Sequence, residues 1–120
     1  MDLSKYTVEA NGTLLDVAEV IAANLARCAI VIENGKTVGV ISEGDLVRAL
    51  LRGVDLHSSV DSCINHSFIF LQRRNLRDAL DIFRAKGVSL IPVVSVDMSL
   101  EDVITLQECL AQVSLIETPG

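Results

Sequence analysis

Ser42 and Asp45, three residues apart, are the pair whose chemistry this sequence puts forward. A serine hydroxyl donates and accepts hydrogen bonds, and a carboxylate accepts from a hydroxyl pair such as that of ribose. Both belong to the run Gly39-Val40-Ile41-Ser42-Glu43-Gly44-Asp45. Residues 38–41 are mostly β-branched and predict a short buried strand. Leu46, Val47, Ala49, Leu50 and Leu51 follow at helical spacing, and Ser42 stands where its hydroxyl accepts from the free N–H groups of that helix's first turn. A strand running into a capped helix aims several unpaired N–H groups at one spot, where an anion is stabilised. Asp45 projects from the same turn; its charge repels phosphate, but its oxygens suit hydroxyls. A plainer reading covers the same two residues, because Ser42-x-x-Asp45 is also a capping box that closes the helix end.

Ahead of this pair, residues 1–13 predict an entry segment with a short strand at Tyr6-Thr7-Val8 and a turn at Asn11-Gly12. Leu14, Ala18, Ile21, Ala22 and Leu25 recur at helical spacing, and Ala29-Ile30-Val31-Ile32 predicts a buried strand. Glu33-Asn34-Gly35-Lys36 predicts a hairpin, since Asn-Gly supplies the positive φ angles of a type I′ turn. The helix after Ser42 carries two apolar stripes, Leu46/Ala49/Leu50 and Val47/Leu51, and its own sheet can cover only one. Arg52-Gly53 ends that helix, and residues 54–62 form a polar connector. Phe68-Ile69-Phe70-Leu71 predicts a strand, and Leu76, Ala79, Leu80 and Phe83 predict a helix closed by Lys86-Gly87. Ile91-Pro92-Val93-Val94 and Val103-Ile104-Thr105 predict two more strands. Leu106, Cys109, Leu110 and Val113 predict a last helix, followed by a frayed tail at residues 117–120.

The second half repeats the first. Leu15 and Leu76 open equivalent helices 61 residues apart, Val31 and Val93 sit in equivalent strands 62 apart, and Ser42 and Thr105 cap equivalent helices 63 apart. This is an internal repeat of about sixty residues. Two strand–cap–helix junctions in register imply one design.

Composition narrows the function classes. Half of the 120 residues are hydrophobic but only 3% are aromatic, so the core must be aliphatic. The mean hydropathy of +0.45 is high for so short a chain and implies an apolar helix face buried by a partner subunit, hence a homodimer. No run of about eighteen apolar residues is present to span a membrane, and residues 1–6 lack the basic start and apolar stretch of a signal peptide. A cytoplasmic chain with no membrane partner is expected. Sixteen acidic residues against ten basic ones, a net charge of −6, argue against nucleic acid as a partner. Cys28, Cys63 and Cys109 are widely spaced and read as buried apolar residues in a reducing compartment. His57 and His66 have no flanking ligand pattern, so no metal site is expected. No nucleophile is paired with a base, so no catalytic residue is assigned. Arg73, Arg74 and Lys86 read as solvated surface, and Arg48 as an i, i+3 partner of Asp45.

Two units, each ending in a glycine–hydrophobic–hydrophobic–Ser/Thr–x–x–Asp junction, resemble a CBS domain pair, or Bateman module. Gly39 through Asp45 match that junction in full, and Ile91-Pro92-Val93-Val94 after Gly87-Val88 resembles the family's other recurrent stretch. The resemblance covers roughly residues 5–113. It implies an α/β (α+β) fold of two tandem β-α-β-β-α repeats packed about a pseudo-two-fold axis, residues 1–58 and 59–116, with the tail at 117–120. It also implies a cleft between the repeats for an adenosine nucleotide, AMP, ADP or ATP, with no cofactor required. Ser42 would contact phosphate and Asp45 the ribose hydroxyls. Gly39 would let the backbone come close to the ligand, Arg27 would face phosphate, and Thr7 and Ala29 would lie along the adenine.

Asp2-Leu3-Ser4-Lys5-Tyr6 and the run from Glu43 to Gly53 are similar, more narrowly, to the CBS pair ahead of bacterial sugar-1-phosphate nucleotidyltransferases. The sequence has no glycine-rich phosphate loop of its own, so a detached regulatory piece or a free-standing module is expected. The second junction departs from the pattern: Asp102 replaces the glycine, Glu108 the aspartate, and Ser89 stands where Arg27 stands in the first half. Thr105-x-x-Glu108 reads as a capping box, leaving one competent site per chain. The second hairpin, Ser95-Val96-Asp97-Met98-Ser99, has also lost its Asn-Gly. Two functions stay open: a regulatory nucleotide-sensing module, and a structural dimerisation module with no functional ligand site.

Overall fold

The computed structural model describes residues 2–117, with side chains through residue 112. A 3-10 turn, Leu3–Tyr6, leads into β1 (Thr7–Glu9), α1 (Leu14–Asn24), β2 (Cys28–Glu33), β3 (Lys36–Ser42) and α2 (Glu43–Leu51). The second half holds a 3-10 turn, Val60–Ser62, then α3 (Leu76–Lys86), β4 (Leu90–Val94), β5 (Leu100–Thr105) and α4 (Leu106–Glu117). Helix α4 takes in Glu117, expected in the tail; residues 118–120, and the Val113 side chain expected on this helix's apolar face, lie outside the described residues.

The local signals explain most boundaries. Thr13 and Asp16 close α1 with a reciprocal capping box, and Leu14, Val17 and Ile21 form its buried stripe. Leu25 does not extend that stripe as the spacing predicts. It takes a left-handed φ of 60° at the helix end and turns its side chain into solvent, 75% exposed. Asn34 and Gly35 have φ of 51° and 78°, the positive pair that a type I′ hairpin requires. Strand β3 alternates, with Thr37, Gly39 and Ile41 on the buried face.

In the first sheet the order is β1-β2-β3, with β1 parallel and β3 antiparallel to β2. Among the described residues the second sheet pairs β4 with β5 alone, antiparallel. Both hairpins shift register at the same repeat position, between Val31 and Ile32 and between Val93 and Val94.

The strand expected at residues 68–71 is reduced to one parallel bridge, Leu71 to Val93. Leu71 N–H donates to Pro92 O at 3.0 Å, and Val94 N–H donates to Leu71 O at 2.8 Å. The preceding rung of a parallel ladder would need an N–H at position 92. Proline has none, whereas the first repeat carries Ile30 at the equivalent place.

The connector is less polar in effect than its composition suggests, because Val60 is wholly buried in the first core. That core joins Val8, Leu14, Val17, Val31, Ile41 and Leu46 between α1, α2 and the first sheet. Phe83, Ile91, Val93 and Ile104 centre the second. A third cluster spans the repeats, bringing Tyr6, Ala26, Cys28 and Ile30 against Leu90 and Val103. Equivalent contacts recur within the two repeats: Glu43 N–H donates to Arg27 O at 2.8 Å, and Leu106 N–H donates to Ser89 O at 3.0 Å. The fold is thus two β-α-β-β-α repeats, complete in the first half and short of most of its leading strand in the second.

Candidate functional site

Strand β3 ends at Ser42, whose extended backbone turns the chain into α2. The Ser42 hydroxyl accepts from Asp45 N–H, and Asp45 Oδ2 accepts from Ser42 N–H, each at 3.0 Å. This is the reciprocal capping box that the spacing predicts. Asp45 Oδ1 accepts from Arg48 Nη2 at 2.7 Å, so the i, i+3 pair also forms. Partial burial pushes the Asp45 carboxyl up, but the Ser42 N–H, the Arg48 guanidinium and the Ser42 hydroxyl together hold it below the ordinary carboxylate range.

Ser42 and Asp45 face a cavity of about 300 Å³ between the two repeats. Cys28 and Val40 of the first sheet line it on one side. The other wall belongs to the second repeat: Asn65, residues 67–69 and the turn at residues 87–90. Burial pushes the Cys28 thiol up to about 12, with the nearby Asp45 charge adding to the effect, so this sulfur is an uncharged wall atom. The arrangement offers a carboxylate and a hydroxyl on one side and the apolar Phe68, Ile69 and Val88 on the other.

The expected site residues divide sharply. Ser42 and Asp45 come together on the cavity. Gly39 lies one strand position behind it, packed on the chain segment at residues 64–65, where Val40 and Asn65 exchange backbone hydrogen bonds. The Arg27 side chain is 77% exposed, 3.7 Å from Glu43, and lines a groove outside the cavity that shares Ser42, Gly87 and Ser89 with it. Thr7 faces a separate surface groove beside Asp16 and Glu19, and Ala29 is wholly buried in the first core.

The residues that sequence reasoning missed are those of the far wall, Asn65 and residues 67–69 and 87–90. One signal pointed to them, the repeat itself, which sets Ser89 opposite Arg27. The fold crosses the halves, so the first repeat's cap meets the second repeat's turn. Ser89 Oγ donates to Ala26 O at 2.6 Å and Gln107 Nε2 donates to Leu25 O at 3.2 Å across the same boundary.

The second junction is built differently. The Thr105 hydroxyl accepts from Glu108 N–H at 3.2 Å, but the expected capping box is half-formed, because the Glu108 carboxylate accepts from Arg74. Arg74 is exposed, as expected, but it is paired, donating also to Asp102 at 3.0 Å. Partial burial opposes its charge, yet Glu108 and Asp102 together hold the guanidinium charged. The two carboxylates that set this junction apart from the first thus share one cation between them. Among the described residues no three His, Cys, Asp or Glu gather as a metal site needs, and no helix is long and apolar enough to cross a membrane.

Residues 2–52 match the CBS domain family. No curated protein matches the chain in sequence. Among solved structures, a signal-transduction protein with CBS domains from Burkholderia ambifaria superposes with a TM-score of 0.80 at 15% identity, over 96% of this chain and 86% of that one. A CBS domain protein from Pyrobaculum aerophilum, complexed with AMP, gives 0.77 at 23% identity over 92% and 88%. A CBS domain pair in complex with 5′-methylthioadenosine and S-adenosyl-L-methionine gives 0.76 at 16% over 93% and 89%. The chain therefore has the fold of a CBS domain pair, or Bateman module, as its two junctions predict.

Proposed function

We propose that this chain is a regulatory module that takes AMP, ADP or ATP in the cavity between its repeats and reports occupancy through a homodimer. The observation that carries this reading is the cavity itself. Its 300 Å³ falls at the lower end of small-ligand sites, and it is concave, mostly apolar and supplied with the Asp45 carboxylate and the hydroxyl of Ser42, with Asn65, Ser67 and Ser89 on the facing wall. Asp45 grips the ribose hydroxyls. The Ser42 hydroxyl, having accepted from Asp45 N–H, still has a proton to donate to phosphate. Phe68 and Ile69 take the adenine face in place of Thr7 and Ala29, which lie elsewhere. Arg27 stands outside for a longer phosphate tail, and Gly39 serves the site indirectly by seating residues 64–65. The solved neighbours complexed with AMP, and with methylthioadenosine and S-adenosylmethionine, support an adenosine ligand.

In this reading the repeats divide between residues 58 and 59, and the module is cytoplasmic. It serves a nucleotidyltransferase domain or partner, on the likeness of the stretches around Asp2 and Glu43. A second reading, a structural dimerisation module without a ligand, is favoured by one fact: the capping box already employs both Ser42 and Asp45.

Thermal unfolding with AMP, ADP, ATP and S-adenosylmethionine separates the two. A ligand that binds only the folded chain at a hundredfold excess over Kd stabilises it by about 2.7 kcal/mol. The midpoint is expected to rise with an adenosine nucleotide and to lose that rise in Asp45→Asn. No shift with any of the four leaves the dimerisation module standing.

A further inference from the structure

Arg48 folds back over the first turn of its own helix. Its Nη2 reaches Asp45 Oδ1 at 2.7 Å, and its Nη1 lies so near Gly44 that a Cβ there would come within 3.2 Å of it. A cation is disfavoured at this end of a helix, where aligned N–H groups leave partial positive charge. Asp45 is the acidic partner that holds it there. The guanidinium also stands at a boundary: Asp45 and Ser42 line the cavity, while Arg48 lines the adjoining groove that runs past Gly44 and Ser89 to Arg27.

We propose that Arg48 reads the phosphate of the ligand, pairing with Asp45 as seen here and passing to phosphate when ribose hydroxyls replace it on Asp45. This rests on the reading of the cavity as an adenosine-nucleotide site. An i, i+3 pair with a 64% exposed arginine is weakly held, so a ligand can displace it. Ribose is neutral, so it takes the Asp45 oxygen from the guanidinium and offers no anion in exchange beside a helix N-terminus. A phosphate arriving there is favoured by the freed cation and by the helix end together. The planar guanidinium fork suits phosphate oxygens, which a nucleoside lacks. Arg48 therefore makes the site prefer nucleotide over nucleoside, since only a nucleotide returns the interaction that its ribose removes.

The test is calorimetric titration of the wild type, Arg48→Met and Arg48→Lys with adenosine and with AMP at one low salt concentration. The wild type is expected to favour AMP. Arg48→Met is expected to narrow that preference by about tenfold, the scale of one charge-assisted hydrogen bond, while binding adenosine at least as tightly. Arg48→Lys should recover part of the preference. Because Arg48 is exposed, unfolding midpoints close to wild type verify that both variants fold. An unchanged preference in Arg48→Met, or an equal weakening of both compounds, overturns the role of Arg48 alone. A wild type that binds neither compound overturns this inference, and one that also shows no midpoint shift with ADP or ATP overturns the nucleotide reading with it.

Discussion

Gly39 lies against Ile64 so closely that a Cβ on it would come within 2.6 Å of the Ile64 Cγ2 and 2.9 Å of the Asn65 carbonyl oxygen. The glycine that opens the Ser42 junction therefore has a packing reason independent of any ligand. It lets the chain segment entering the second repeat lie across β3, and that segment in turn forms a wall of the cavity.

Gly39→Ala is accordingly expected to lower stability by about 1–3 kcal/mol, the usual cost of overpacking a tight contact. Urea denaturation measures it directly. A variant as stable as wild type would mean that residues 64–65 shift freely, and the cavity wall with them.

Acid should weaken the Ser42 junction, with a definite sign. The folded-state carboxyl of Asp45 lies below its ordinary value. A lowered folded pKa contributes stability that is complete above the unfolded value, about 3.9, and is lost as pH falls through the folded value. Asp97, exposed but hydrogen-bonded by Lys36, Ser95 and Ser99, is shifted in the same direction. Urea midpoints from pH 6 down to pH 2.5 should show wild type more stable than Asp45→Asn at the upper end and the gap closing below about pH 4. A gap that stays constant across this range would remove the ionised Asp45 from the stability of the junction.

The apolar surface supports the proposed homodimer. On α2, Leu46 and Ala49 are buried, whereas Val47 is 47%, Leu50 41% and Leu51 81% exposed. Leu50 thus joins the outer stripe rather than the inner one expected for it. Sedimentation at micromolar concentration should give a dimer for wild type and a monomer for Leu51→Glu, which places a charge in that stripe. A monomeric wild type would separate ligand binding from dimerisation and leave the first without its proposed output.

Much of this molecule was legible because it depends on neighbours in the chain. The Thr13 and Ser42 caps, the Asn34-Gly35 hairpin and the Gly87 helix end each close within a few residues. The sixty-residue repeat then supplied the fold class. Departures arose where a distant partner decided. The leading strand of the second repeat shrank to Leu71 because Pro92, twenty-one residues on, offers no N–H. Arg74 stayed exposed but gained partners because the fold brought it Asp102 and Glu108, 28 and 34 residues away.

By itself, then, the sequence determined the Ser42–Asp45 junction, since a cap needs only a serine, a carboxylate and one helical turn between them. Only the tertiary structure decided what that junction faces. Packing crosses the repeats and sets Ser42 and Asp45 against residues 67–69 and 87–90, while Thr7 and Ala29 go to another groove and to the core. The physical reason is that a hydrogen-bonded cap is closed by local geometry, whereas a cavity wall is chosen by which two apolar faces bury each other.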